Sequence, residues 1–114
     1  MSPEARTIQI RRPYLELIVA GTKTIEVRVG YPSMRKIHAG QPLTFVSGDL
    51  TYATTVDHVA EYPTFDALLD AEDAVAIGGE GMSRDELLRA CRDIYPPEKE
   101  ALGVLAIHLR RATS

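Results

Sequence analysis

Two short segments of the chain alternate between apolar and polar residues, which is the pattern of a half-buried β-strand. They cover residues 7–10 and 24–29. Residues 43–46 predict a third strand, and residues 51–59, which are rich in threonine and valine, predict a long fourth one. Residues 103–109 are the last predicted strand, and alternate positions give it two faces. These faces are Val104, Ala106 and His108 on one side and Leu105, Ile107 and Leu109 on the other.

A first helix is predicted between the first two strands. Pro13 is tolerated in its first turn, because the amide hydrogen that proline lacks would have no partner there. The apolar positions among residues 14–19 form a face wide enough to pack on a sheet. Gly21 is a typical residue for ending such a helix.

Further helices are predicted in the second half of the chain. Thr64 is a good N-cap for a short helix over residues 65–69, and residues 71–77 are expected to add another turn. Ser83 and Glu86 have the spacing of a capping box, which predicts a helix that runs from residue 84 to residue 94.

The order of these elements indicates an α+β fold in a single domain over residues 1–114. Strands dominate the first half, helices come late, and a strand closes the chain, which is unlike a series of βαβ units. We therefore expect a small, mostly antiparallel β-barrel or curled sheet. The N-terminal helix would plug one end, and the later helices would be inserted before the last strand.

The charge balance limits the class of ligand. The 114 residues carry a formal net charge of −3, which argues against strong non-specific DNA binding because phosphate contacts supply most of that affinity. Residues 1–57 hold seven lysines and arginines against five acidic residues, whereas residues 58–114 hold six against eleven. This asymmetry fits a basic surface in the first half, and it fits scattered solvated charges equally well.

The sequence also bears on localisation. No run of about 18 apolar residues is present, so we expect no membrane span, and the first residues lack the apolar segment of a secretory signal. Cys91 is the single cysteine, which excludes a disulfide within the chain and fits a reducing compartment. We therefore expect a cytoplasmic protein, and the oligomeric state stays open.

The candidate site lies on the second predicted strand. If residues 24–29 are extended, Thr24, Glu26 and Arg28 share one face and Lys23 stands at its beginning. A hydroxyl, a carboxylate and two cations on one rigid element would suit a binding or catalytic site. The same residues also fit an exposed ion pair, and the end of the first helix dipole would favour Lys23 for purely structural reasons.

Several kinds of chemistry have no signature in this sequence. There is no glycine-rich phosphate loop, and His38, His58 and His108 lack the spacing of metal ligands, so we predict neither a metal nor a cofactor. Cys91 lies on the apolar stripe of the last long helix and is predicted to be a core residue. Glu80 stands among three glycines, where it would either reach a cleft or remain exposed.

A family resemblance covers nearly the whole chain. ASCH domains carry the signature Gly-x-Lys-x-x-Glu-x-Arg, which this sequence matches with Gly21-Thr22-Lys23-Thr24-Ile25-Glu26-Val27-Arg28. The flanks are similar as well: Arg12-Pro13-Tyr14 precedes an apolar helix, and Ile94-Tyr95-Pro96 resembles the start of the closing segment. The resemblance implies a β-barrel related to the PUA domain, with a cleft beside the barrel lined by the Lys-Glu-Arg motif.

The resemblance also implies a ligand class. Members of the family include RNA-binding modules, a ribonuclease, and small bacterial amidohydrolases that remove acetyl from N(4)-acetylcytidine. In those amidohydrolases a lysine, a threonine three residues later and a glutamate before an acidic helix carry the chemistry. Lys23 matches the lysine and Glu80 matches the glutamate, but Glu26 stands where the threonine would be.

This departure leaves more than one function open. As a binding module, the chain would hold RNA or a modified cytidine-type nucleoside through its motif and a tyrosine that stacks on the base. The ligand-binding residues would be Tyr14, Lys23, Thr24, Glu26 and Arg28, with Tyr31 or Tyr52 as other stacking candidates. As an amidohydrolase, it would use Lys23, Glu26 and Glu80 as catalytic residues, with Glu26 or Lys23 activating water. Ribonuclease activity is a third option that rests on family resemblance alone.

Overall fold

Five strands form one mixed sheet in the computed structural model, which describes residues 5–112. The strands are β1 (Arg6–Gln9), β2 (Ile25–Val29), β3 (Pro42–Ser47), β4 (Leu50–Tyr62) and β5 (Val104–Arg111). Their order across the sheet is β1-β3-β4-β5-β2. β1 runs parallel to β3, and every other neighbouring pair is antiparallel. The prediction of a mostly antiparallel sheet is confirmed.

α-Helices occupy two connections of this sheet, the one between β1 and β2 and the one between β4 and β5. They are α1 (Arg12–Ala20), α2 (Phe65–Ala71), α3 (Ala74–Gly78), α4 (Arg84–Ile94) and α5 (Pro97–Glu100), with a 3₁₀ turn at Met34–Lys36. The last four helices all lie between β4 and β5, which confirms the predicted α+β class and the late insertion of helices. Within residues 5–112, no helix is both long and apolar enough to span a bilayer.

The sheet curls into a half-barrel whose two edges are β1 and β2. No backbone pairing joins these edges among the described residues. A side chain bridges them instead, because Arg28 Nη2 on β2 donates to the carbonyl oxygen of Gln9 on β1 at 2.9 Å. The barrel-like fold class expected from the sequence is therefore confirmed, with one open seam that a guanidinium spans.

α1 covers one face of the sheet, as expected of the plugging helix. Leu15 and Ile18 are buried in a first core that they share with apolar side chains of all the strands except β2. Pro13 lies in the first turn of α1, and Gly21 ends the helix with φ of 84°, in the left-handed region that favours glycine.

The alternation in β5 separates two cores. Leu105, Ile107 and Leu109 belong to the first core, whereas Val104 and Ala106 belong to a second core under the later helices. The two predicted faces of this strand are thus confirmed. β5 pairs with β4 on one side and β2 on the other, so it is a central strand with both faces covered.

The later helices begin at the predicted caps. Thr64 accepts a hydrogen bond from the Ala67 amide at 3.1 Å, and Ser83 with Glu86 forms the reciprocal capping box at the start of α4. The turn expected over residues 71–77 is a separate short helix, α3, because the Asp73 side chain starts a new N-terminus by accepting from the Val75 amide. This break brings the end of α3 next to β2.

Candidate functional site

A cleft of about 460 Å³ opens beside the half-barrel. It lies between the β1–α1 junction, β2, the end of α3 and the second half of α4. Its polar lining comes mainly from the motif residues, and its apolar walls come from α3 and α4, including Ile77, Leu87 and Cys91. This volume is within the range of small-ligand sites.

Lys23 is a buried cation at the floor of the cleft. Its side chain is 4% exposed, and its Nζ donates to the backbone carbonyl oxygens of Ile25 and Ile77 at 2.6 Å each. Glu26 Oε1 lies 3.3 Å from the same nitrogen. Three acceptors therefore surround an ammonium that has three hydrogens. The contact with Ile77 also ties α3 to the start of β2.

Glu26 and Arg28 continue this chain of charges toward the seam of the barrel. Glu26 is 6% exposed, and its Oε2 accepts from Arg28 Nε at 2.6 Å. Arg28 Nη2 donates to Gln9 O across the seam. Glu26 thus lies between two cations, an arrangement that offsets the cost of burying a carboxylate.

The pKa of Lys23 reflects two opposing effects. Burial lowers it below the ordinary value of 10.5, because the charged form loses solvation, while the neighbouring Glu26 carboxylate opposes this effect. Burial also raises the pKa of the Cys91 thiol, to about 11, so the thiol is neutral at physiological pH. Cys91 packs against the second core as predicted, and it lines the cleft as well.

Two tyrosines contribute aromatic surface to the cleft. Tyr14 on α1 lies beneath the Lys23 ammonium, with Nζ 5.6 Å from the ring centroid. Tyr95, which follows α4, stacks near Phe65 with ring centroids 6.0 Å apart and tilts against Tyr31 at 6.5 Å. The core thus fixes the Tyr95 ring while part of it borders the cleft.

The structure brings four of the predicted site residues to this cleft: Tyr14, Lys23, Glu26 and Arg28. Lys23 follows the end of α1 as expected, since its amide donates to Leu17 O at 3.1 Å, and its side chain donates in addition to the end of α3. The cleft is therefore assembled from segments that are far apart in sequence.

Thr24 and Glu80 lie outside the cleft. Thr24 comes just before β2, which begins at Ile25, and it is not among the residues that line the cleft. The Thr24 amide donates to Ala76 O and its carbonyl accepts from the Leu109 amide, both at 2.8 Å, and its exposed side chain lines a separate small depression. Glu80 is exposed in the loop between α3 and α4.

Other cleft residues were not predicted as site residues. Arg11 and Gln9 line it from the β1–α1 junction, and Ile94 and Tyr95 line it from the end of α4. The apolar stripe of α4, which includes Leu87 and Cys91, was predicted from the sequence to be buried in the core. The structure shows that this stripe also lines the cleft. Among residues 5–112 no group of three or more histidine, cysteine, aspartate or glutamate side chains is arranged to hold a metal ion.

The structure is a small half-barrel domain. It has a cleft large enough for a small ligand, and Lys23, Glu26 and Arg28 line the bottom of this cleft. The chain belongs to the ASCH domain family, whose model matches residues 8–112. The resemblance seen in the sequence is thereby confirmed. None of the curated proteins matched the chain.

Solved structures agree with this assignment. The hypothetical protein PH0355 is 27% identical, with a TM-score of 0.87 over 96% of this chain and 100% of that one. Protein PF0455 from Pyrococcus furiosus is 26% identical, with a TM-score of 0.76 over 96% and 98%. An ASCH protein from Zymomonas mobilis is 17% identical, with a TM-score of 0.59 over 91% of this chain and 65% of that one, and supports the fold alone.

Proposed function

We propose that this ASCH domain binds RNA or a modified cytidine-type nucleoside in the cleft. The observation that carries the proposal is a cavity of about 460 Å³ with charged groups at its floor and apolar and aromatic walls. Such a lining suits a planar ring with polar edges. Membership of a family that is suggested to bind RNA supports the same ligand class.

The side chains of the cleft match the groups of a nucleobase. Glu26 would accept from an exocyclic amine, as a carboxylate does from the amine of cytosine. Arg28 would donate to a ring or phosphate oxygen through Nη1, which makes no hydrogen bond within residues 5–112. Tyr14 or Tyr95 would stack on the base.

Calorimetric titration with cytidine, N(4)-acetylcytidine and a short single-stranded RNA tests this proposal. Glu26→Gln keeps the shape of the side chain but removes its charge, and we expect roughly tenfold or greater weakening. Glu16→Gln is the matched control, because Glu16 is exposed on α1 and lines neither the cleft nor the small depression beside Thr24. Absence of binding to all three ligands, or undiminished binding by a folded Glu26→Gln protein, would overturn the proposal.

Deacetylation of N(4)-acetylcytidine is a second candidate function, favoured by the position of Glu26 between two cations in the cleft. Glu26 would take a proton from water as the water oxygen attacks the acetyl carbonyl carbon. Arg28 Nη1 would stabilise the oxyanion. The carbon–nitrogen bond then breaks, the proton passes to N(4), and acetate and cytidine leave. Glu80 lies outside the cleft, so the chemistry would rest on the motif.

Chromatography of N(4)-acetylcytidine incubated with the protein distinguishes the two functions. Release of cytidine by the native protein and its loss in Glu26→Gln would support the hydrolase. Turnover that survives in Lys23→Ala would overturn the role of Lys23, and binding without turnover would leave the binding module alone.

Two broader expectations remain proposals of the same kind. Ribonuclease activity is supported by the family resemblance only, and release of fragments from a labelled RNA would detect it. A cytoplasmic location is supported by the single cysteine, and fractionation of cells would check it.

A further inference from the structure

The lining of the cleft is positively charged although the chain is acidic. Its charged residues are Arg11, Lys23, Glu26 and Arg28, which is three cations against one carboxylate and gives a formal charge of +2. The whole chain carries −3. A local excess of this kind in a concave, partly apolar site attracts an anion, since low-dielectric walls focus the field.

The internal contacts of the cleft do not use this excess. Lys23 and Arg28 both contact Glu26, so the single carboxylate balances one of these two positive charges and leaves the other unbalanced. Arg28 keeps Nη1 without a hydrogen bond to residues 5–112. Two positive groups therefore remain available to a ligand: this edge of Arg28 and the whole of Arg11.

Arg11 differs from the adjacent Arg12 in having no partner for its guanidinium among residues 5–112. Its guanidinium is exposed at the rim and makes no hydrogen bond or ion pair with any residue from 5 to 112. Arg12 is also on the surface, but it contacts Asp49 at 3.3 Å and Glu16 at 3.9 Å and does not line the cleft. Two adjacent arginines thus provide a test residue and a control of equal charge.

We propose that Arg11 and the free edge of Arg28 bind a phosphate group of the ligand. The inference rests on the proposed function, which places a nucleobase against Glu26 at the floor of the same cleft. It narrows the ligand from a nucleoside to a phosphorylated nucleotide, either a mononucleotide or a residue of an RNA chain. A guanidinium suits this role because its planar fork matches phosphate oxygens.

Calorimetry with four probes tests the proposal: cytidine, cytidine 5′-monophosphate, cytidine 3′-monophosphate and the dinucleotide CpC. At low salt we expect at least one monophosphate to bind about fivefold tighter than cytidine, the gain of an exposed but well-placed ion pair. Arg11→Gln should remove this gain and leave cytidine affinity unchanged, whereas Arg12→Gln should preserve it. The gain should also shrink as salt is raised.

The probes separate the outcomes. Equal affinity for cytidine and both monophosphates would overturn the phosphate site and leave the proposed function intact. A gain that survives in Arg11→Gln, or is lost equally in Arg12→Gln, would overturn the assignment to Arg11. Absence of binding by all four probes would overturn the proposed function and the inference with it. Tighter binding of CpC than of either monophosphate would identify RNA as the source of the phosphate.

Discussion

Replacement of Glu26 by glutamine tests whether the Lys-Glu-Arg chain is a buried network. The substitution keeps the size of the side chain and removes the carboxylate that contacts both Lys23 and Arg28. Lys23 is 4% exposed, so its charge would then lie in the protein with backbone carbonyls as its only acceptors among the described residues. An exposed ion pair would tolerate the same change with little effect.

The magnitude follows from this geometry. Loss of one partner from a buried ion pair typically lowers the free energy of unfolding by about 3–5 kcal/mol. Two features reduce that figure here: Lys23 keeps two short hydrogen bonds to carbonyls, and the Arg28 side chain is 19% exposed. We expect a loss of about 2–3 kcal/mol, a large fraction of the stability of a domain of this size.

The loss should depend on pH in a defined direction. The pKa of Lys23 in the folded protein lies below 10.5, so between the two values the unfolded chain binds more protons and stability rises with pH. Glu26 opposes this lowering, so in Glu26→Gln the folded pKa falls further and the window extends to lower pH. The stability difference between the two proteins should therefore narrow as the pH rises toward 10.5.

Urea unfolding followed by circular dichroism, at about pH 7 and about pH 10, measures both effects. Glu16→Gln is the control, since Glu16 is 63% exposed and lies 3.9 Å from Arg12, and we expect it to change stability by less than about 0.5 kcal/mol. The reasoning would be refuted if Glu26→Gln lowered the free energy of unfolding as little as the control does. It would also be refuted if the difference in this free energy between the native protein and Glu26→Gln were the same at both pH values.

Three further predictions concern other parts of the molecule. Cys91, whose pKa is raised to about 11, should be alkylated by iodoacetamide at neutral pH far more slowly than in urea, as measured by mass spectrometry. Ser83→Ala removes the capping box of α4 and should lower the free energy of unfolding in urea by about 1 kcal/mol. Gly103→Ala should lower it by about 1–3 kcal/mol, because φ is 91° and a Cβ would lie 2.8 Å from Arg35 Nη2. Gly48→Ala should lower the free energy of unfolding by less, because a Cβ at Gly48 would have no heavy atom beyond its chain neighbours within 4 Å.

Local patterns predicted the elements well and their ends less well. The two faces of β5 were predicted correctly, because successive side chains of a strand point to opposite sides and both sides of this strand are buried. β4 was expected to end at residue 59, but it continues to Tyr62, since residues 60–62 pair with residues 104–106 of β5. Such pairing is a tertiary effect, and neither it nor the parallel contact of β1 with β3 has a local sequence signal.

The same limit applies to the site. Lys23, Glu26 and Arg28 form a continuous motif, so their proximity was predictable. Thr24 was predicted as a ligand-binding residue, but it lines the small depression and not the cleft, and its backbone bonds to Ala76 and Leu109 are tertiary contacts without a local sequence signal. The contact of Lys23 with Ile77 spans 54 positions in sequence and depends on α3 being a separate helix.

The double contact of Lys23 determines how functional tests of this residue should be interpreted. Its ammonium joins Ile25 on β2 to Ile77 at the end of α3, so Lys23→Ala would remove a cation from the cleft and also loosen one wall of it. Lost binding or turnover in that variant would therefore have two explanations. Arg11 is exposed and makes no contact of this kind within residues 5–112, so substitution at this position separates recognition from packing. The Lys23 ammonium already donates to two carbonyl oxygens and lies 3.3 Å from Glu26 Oε1, so the proposed function assigns recognition to Glu26 and the free edge of Arg28 and not proton transfer to Lys23.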